Sequence, residues 1–108
     1  LRHLDKLEQL SLERAQITDA GLRGLAQLRR LKKLDLTRTP ITNAGLRYLV
    51  KCKGLQELNL RYTKITDAGL KHLTGLRGLK TLELENTRVT AAGVKALKAA
   101  HPTLEISR

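Results

Sequence analysis

Phenylalanine, tryptophan and methionine are absent from this chain, and aromatic residues make up only 2% of it. That excludes a globular core built from bulky side chains. The apolar material is mostly leucine, spread evenly along the sequence, as suits a thin core extended along one axis. With Cys52 as the one cysteine, an internal disulfide is excluded, and a reducing, cytoplasmic setting is compatible. No apolar run approaches the ~18 residues of a membrane span, and no stretch resembles a signal peptide. The initiator Met is missing too. The chain opens in mid-repeat, with Leu1, Leu4 and Leu7 matching Leu25, Leu28 and Leu31, and so reads as a piece of a longer protein. Positive charge, by contrast, is abundant: the net value is +11, which favours acidic partners or nucleic acid without fixing a fold.

What is present is one phrase written four times at a 24-residue interval. Its register is held by Leu10, Leu34, Leu58 and Leu82, then by Leu12, Leu36, Leu60 and Leu84, and then by Gly21, Gly45, Gly69 and Gly93. A fixed period of this size means stacked supersecondary units, none of which can bury its apolar face alone. Repeats fall at about 7–30, 31–54, 55–78 and 79–102, with a terminal strand at 103–108, all in one domain.

Each unit divides in the same way. Leu34 and Leu36 alternate with Lys33, Asp35 and Thr37, the period-two pattern of a half-buried strand. Pro40 is expected to stop that strand, and Ile41 to return to the core. Leu46, Leu49 and Cys52 then recur every third residue, the apolar stripe of a short helix. Thr18, Thr42, Thr66 and Thr90 suit its N-cap, with Asp19 and Asp67 placed where the helix dipole favours negative charge. Arg29, Lys53 and Arg77 share a position at the opposite end. A unit that closes strand, turn, helix and turn in 24 residues requires parallel strands. A Cβ at the recurrent glycines is expected to collide with the neighbouring unit. The Thr39, Thr63 and Thr87 hydroxyls are expected to bond the neighbouring turn, with Ala15 breaking that ladder. The final unit reads as shortened, since Leu104 and Ile106 follow Leu82 and Leu84 by 22 residues, with His101-Pro102 ending the helix early.

The repeated L-x-x-L-x-L at Leu31-Leu34-Leu36, Leu55-Leu58-Leu60 and Leu79-Leu82-Leu84 resembles the leucine-rich repeat family over nearly the whole chain. The Ile65-Thr66-Asp67-Ala68-Gly69-Leu70 segment looks like the helix-bearing ribonuclease-inhibitor-like and bacterial variants. Thr39, Thr63 and Thr87 stand where the family consensus has Asn or Cys, which favours the Thr-bearing bacterial type. The resemblance implies an α/β solenoid with a parallel sheet on its concave face and short helices outside. It also implies recognition of a protein partner, although a fold does not by itself fix a function.

Strand alternation assigns Gln9, Ser11, Glu13, Lys33, Asp35, Thr37, Glu57, Asn59, Arg61, Thr81, Glu83, Glu85, Glu105 and Ser107 to the open face of the sheet. Six of the ten carboxylates lie here against two cations, a balance of −4 that leaves +15 for the remainder. Lys33 is expected to neighbour Glu57, and Arg61 to neighbour Glu85. Glu83 and Glu105 are expected side by side, two carboxylates about 5 Å apart repelling by about 1 kcal/mol in water. The candidate partner site is therefore concave and suited to a basic or mixed-charge segment. It comprises Lys33, Asp35, Thr37, Glu57, Asn59, Arg61, Tyr62, Thr81, Glu83, Glu85 and Glu105, centred on Asp35, Asn59, Glu83 and Glu85. Tyr62 is its aromatic anchor.

The outer surface carries Arg23, Arg29, Arg30, Arg47, Lys51, Lys53, Lys71, Arg77, Lys95 and Lys98, with Arg14, Arg38 and Arg108 at the strand exits. Electrostatic docking to nucleic acid or to an acidic assembly is the alternative reading there. Without interleaved aromatics or a nucleic-acid motif, a solvated surface is the preferred reading. A purely architectural spacer is a third reading. No enzyme, cofactor or metal constellation emerges. His3, His72 and His101 hold unrelated repeat positions, Cys52 replaces an inward leucine as an inert thiol, and Tyr48 and His72 share a column on adjacent helices.

Overall fold

The structure is a computed structural model that describes residues 6–108, so Leu1, His3 and Leu4 lie outside it. Five parallel strands form one sheet in sequence order: β1 (Gln9–Ser11), β2 (Lys33–Asp35), β3 (Glu57–Asn59), β4 (Thr81–Glu83) and β5 (Glu105–Ser107). On the other side run α1 (Asp19–Leu22), α2 (Asn43–Leu46), α3 (Asp67–Leu70) and α4 (Ala91–Ala100). The first three are single helical turns that tighten into 3-10 segments at Arg23–Gln27, Arg47–Lys51 and Lys71–Leu73. The three-residue apolar spacing explains this. In a 3-10 helix residues three apart eclipse, so Leu46, Leu49 and Cys52 all point inward and are fully buried. Between sheet and helices the leucines form one continuous core.

The strands end differently from the sequence expectation. Leu36 N–H still bonds Asn59 C=O at 2.8 Å and Arg38 N–H bonds Arg61 C=O at 3.0 Å, so pairing runs beyond β2. The chain turns at Arg38 itself, which is left-handed (φ 59°), and not at Pro40. Arg14, Tyr62 and Asn86 repeat that conformation in the other units. Thr39, Thr63 and Thr87 close their own turns, each hydroxyl donating to the carbonyl three residues earlier (Leu36, Leu60 and Leu84) and not to a neighbouring unit. The short reach of a Thr side chain favours that local carbonyl. Ile41 is fully buried, as its pattern predicts.

Units are fastened on the helix side by a second set of side chains. Asp19 accepts the N–H (2.7 Å) and hydroxyl (2.5 Å) of Thr42. Asn43 accepts Thr66 N–H at 2.9 Å and donates to its hydroxyl oxygen at 2.6 Å. Asp67 holds Thr90 in the same way. The threonines do sit at the N-cap positions, but only Thr90 accepts a capping bond, from Gly93 N–H at 3.2 Å. These fasteners also explain the recurrent glycine. A Cβ on Gly45 would stand 2.5 Å from Asp19 Oδ1 and 2.8 Å from Leu22 Cδ1. Gly69 and Gly93 face Asn43 and Asp67 in the same way, whereas Gly21 is confined by Ile17 of its own unit.

The last unit keeps the 24-residue register, with Leu82 beside Ile106, Thr81 beside Glu105 and Glu83 beside Ser107. It is not shortened, and α4 is the longest helix of the described residues. Leu104 turns into the core just ahead of β5, and His101 fills an inward site with Nε2 3.1 Å from Leu76 C=O.

Candidate functional site: the concave sheet

Because the strands are parallel and in register, equivalent residues line up in columns across the sheet, roughly 4.8 Å from rung to rung. The first column reads Gln9, Lys33, Glu57, Thr81, Glu105 and the second Ser11, Asp35, Asn59, Glu83, Ser107. The columns from Gln9 to Thr81 and from Ser11 to Glu83 line a shallow hollow of about 410 Å³, whose floor includes Leu34 and Leu58. A smaller hollow of about 280 Å³ continues over Thr81, Glu83, Glu105 and Ser107. Of the residues singled out from the sequence, Lys33, Asp35, Glu57, Asn59, Thr81, Glu83 and Glu105 line these two hollows and Arg61, Tyr62 and Glu85 lie just beyond, whereas Thr37, expected on the open face, is buried.

Their side chains are not equally free. Lys33 Nζ meets Glu57 Oε2 at 3.2 Å, and Arg61 Nε lies 3.7 Å from Glu85 Oε1, both as expected. The second pair is looser than a hydrogen bond, and neither of those two atoms finds another partner despite being shielded from solvent. Asp35 is turned back on its own strand exit, where it accepts the N–H (2.9 Å) and hydroxyl (2.5 Å) of Thr37. Asn59 accepts Arg61 N–H at 3.1 Å in the same way. Two of the four residues at the expected centre therefore serve the turn. The like-charged neighbours are also corrected: Glu105 stands opposite Thr81, diagonal to Glu83, so each carboxylate has a hydroxyl beside it. Among the described residues neither Glu83 nor Glu105 has a cationic or hydrogen-bonding side-chain partner. The unengaged negative charge thus concentrates at the β4–β5 end.

Tyr62 lies at the rim, in the left-handed turn after β3, and is the one large apolar side chain left exposed among the described residues (40%). The Arg38 guanidinium sits over its ring, 4.0 Å from the centroid, and Arg61 lies at 5.9 Å. The turn conformation brings Arg38 and Tyr62 together, and no glycine or asparagine at either turn position signals it. On the outer surface, Tyr48 contacts Arg23 and Arg47, a grouping the sequence reading missed in pairing it with His72. These guanidiniums draw the Tyr48 hydroxyl below the usual tyrosine range. Cys52 is fully buried, its thiol 3.4 Å from Leu25 C=O, and burial pushes its pKa up.

A leucine-rich repeat family profile matches residues 29–89, and a second leucine-rich repeat profile matches residues 1–26. The chain belongs to the leucine-rich repeat family. Its fold is similar to that of an internalin C2 from Listeria monocytogenes, with TM-score 0.78 and 28% identity over 97% of this chain and 46% of that one. A leucine-rich repeat protein of Leptospira interrogans superposes with TM-score 0.74 and 22% identity over 94% of this chain and 25% of its own. A Listeria internalin, inlF, gives 0.60 and 21% over 94% and 34%. The chain thus spans less than half the length of these structures. No curated protein matches it. Leucine-rich repeat domains generally mediate protein binding and are typically non-enzymatic scaffolds. No helix among the described residues is long and apolar enough to cross a membrane.

Proposed function

We propose that this chain is a non-enzymatic protein-binding module that holds a basic or mixed-charge segment of its partner in the concave sheet. The observation that carries this reading is the state of the charges there. Both concave cations, Lys33 and Arg61, already face a carboxylate, whereas among the described residues Glu83 and Glu105 face no cation. A lysine or arginine entering between β4 and β5 would meet two carboxylates on one diagonal and the Thr81 and Ser107 hydroxyls on the other. Tyr62, with Arg38 over its ring, supplies a rim anchor whose second face can take an apolar or cationic neighbour. Such complementarity sets specificity and association rate more than affinity.

The test is affinity capture of a native partner by the wild-type chain and by a Glu83→Lys/Glu105→Lys variant. Capture is expected to be lost in the variant, whose fold should remain intact because both residues face the open side and neither is ion-paired among the described residues. Retained capture would move the site off the sheet. A photo-crosslinking residue at Thr81 should tag the partner, and one at Lys95 should not.

A further inference from the structure

The outer face of the first two complete units carries a cationic stripe that the concave reading does not use. Arg23 and Arg47 occupy the same position in adjacent units, and both guanidiniums gather about Tyr48, at 5.8 and 5.0 Å from the ring centroid. Arg47 Nη2 also donates to the Tyr48 hydroxyl at 2.9 Å. Tyr48 and Lys51 both lie on the 3-10 segment Arg47–Lys51 and, being three residues apart, eclipse on the same side of it. Lys51 then joins Arg29 and Lys53 in lining a separate depression of about 320 Å³. The groups therefore run continuously, from the guanidinium cluster across Tyr48 and Lys51 into the depression.

Nothing in the described residues neutralises this stripe. The ion pairs there involve Lys32, Lys33 and Arg61, and none of the five stripe cations. Asp19, the carboxylate of α1, is engaged by the Thr42 N–H and hydroxyl. Five cations without counter-charges, two of them pre-arranged on an aromatic ring, form a receptor for closely spaced anions. No large apolar side chain is exposed along the stripe, the Tyr48 ring being partly buried against the core, so it lacks the apolar centre a folded protein partner needs. A lone tyrosine is also too little for the serial base stacking on which single-strand binders depend. A duplex backbone asks only for charge at intervals.

We infer that the stripe formed by Arg23, Arg47, Tyr48, Lys51, Arg29 and Lys53 is a sequence-independent contact surface for the phosphodiester backbone of a nucleic-acid duplex. It is separate from the concave site and does not depend on it. The Tyr48 ring holds two guanidiniums in place, and the depression around Arg29, Lys51 and Lys53 receives the neighbouring phosphates.

The experiment is fluorescence anisotropy with a labelled, mixed-sequence DNA duplex over a range of salt concentrations. It compares the wild-type chain with Arg23→Gln/Arg47→Gln/Lys51→Gln and with a control of equal net charge, Lys64→Gln/Arg88→Gln/Lys98→Gln. The stripe variant is expected to lose about tenfold or more in affinity, with its salt slope reduced by about 2 to 3. The control should change by about twofold at most. Equal losses in the two variants would overturn the assignment, because net charge alone would then explain binding. Absence of wild-type binding at low salt, or tighter binding of a matched single strand or of polyglutamate, would overturn it as well. A Glu83→Gln variant should bind the duplex like wild type, so failure here leaves the concave reading standing.

Discussion

Asp67 reaches one unit ahead to Thr90 and accepts both its backbone N–H, at 2.8 Å, and its hydroxyl, at 2.5 Å. These bonds, with a smaller contribution from Arg108, hold the Asp67 carboxyl below the usual range of about 3.9. A depressed folded-state pKa stabilises the fold above the unfolded value and loses that contribution as pH falls through the folded one. Asn43 performs the same task without a charge. Asp67→Ala is therefore expected to lower the melting temperature clearly, and Asp67→Asn only slightly. The gap between wild type and Asp67→Asn should close as pH drops below about 4. Thermal melts across that range check all three statements.

Gly45 meets the equivalent fastener, Asp19. Alanine normally improves a helix by about 1 kcal/mol over glycine. Here its methyl group would press on an Asp19 oxygen that Thr42 holds in place, and on Leu22. Gly45→Ala should therefore destabilise the chain by about 1–3 kcal/mol in urea unfolding, against its propensity. Adding Asp19→Ala should recover part of the loss, a coupling that a double-mutant cycle would measure.

Arg14 is left-handed (φ 62°), and among the described residues its side chain makes no ion pair. That conformation costs a non-glycine residue about 1–2 kcal/mol. Arg14→Asn should raise stability by up to about 1 kcal/mol, since asparagine tolerates the left-handed region. Arg38→Asn should gain less, because it gives up the stack on Tyr62. Urea midpoints of the two variants give the comparison.

Lys33 is half exposed and paired with Glu57, so the pair contributes under about 1 kcal/mol. Lys33→Gln should leave stability nearly unchanged while freeing a third concave carboxylate. On the proposed function, it should tighten binding of a basic partner and steepen the salt dependence of association, both readable by surface plasmon resonance.

Cys52 should be silent towards thiol reagents in the folded chain, because burial both raises its pKa and shields the sulfur. Ellman's reagent at mildly alkaline pH is expected to react only as the chain unfolds. Cys52→Leu, which restores the residue found at Leu28 and Leu76, should fold normally.

Much of this fold could be read from Leu34, Leu36 and their repeats, because one spacing sets both the inward residues and the rung-to-rung partners. Lys33 beside Glu57 and Arg61 beside Glu85 follow from it directly. The last unit shows where such reading fails. Alternation has a period of two, so sliding Leu104-Glu105-Ile106 by two residues leaves every side chain on the same face. Only backbone pairing shows that Ile106, and not Leu104, stands beside Leu82. The turns were opaque for another reason. Arg14, Arg38 and Tyr62 carry none of the composition that announces left-handed backbone, and the repeat imposes it on them. Asp35 and Asn59 were legible as concave but not as turn-closing, because a short polar side chain can serve a partner or its own backbone equally well. The Arg23–Tyr48–Arg47 grouping escaped notice because it joins two different columns.

The fasteners from Asp19, Asn43 and Asp67 each span a single junction, whereas the sheet is knitted by backbone bonds along its whole width. The molecule is accordingly stiff along its inner lining and more compliant along its back, like slats strung on one cord. Prising two helices apart would tighten the curve and deepen the hollow without breaking a strand, so the depth offered to a guest is adjustable from behind.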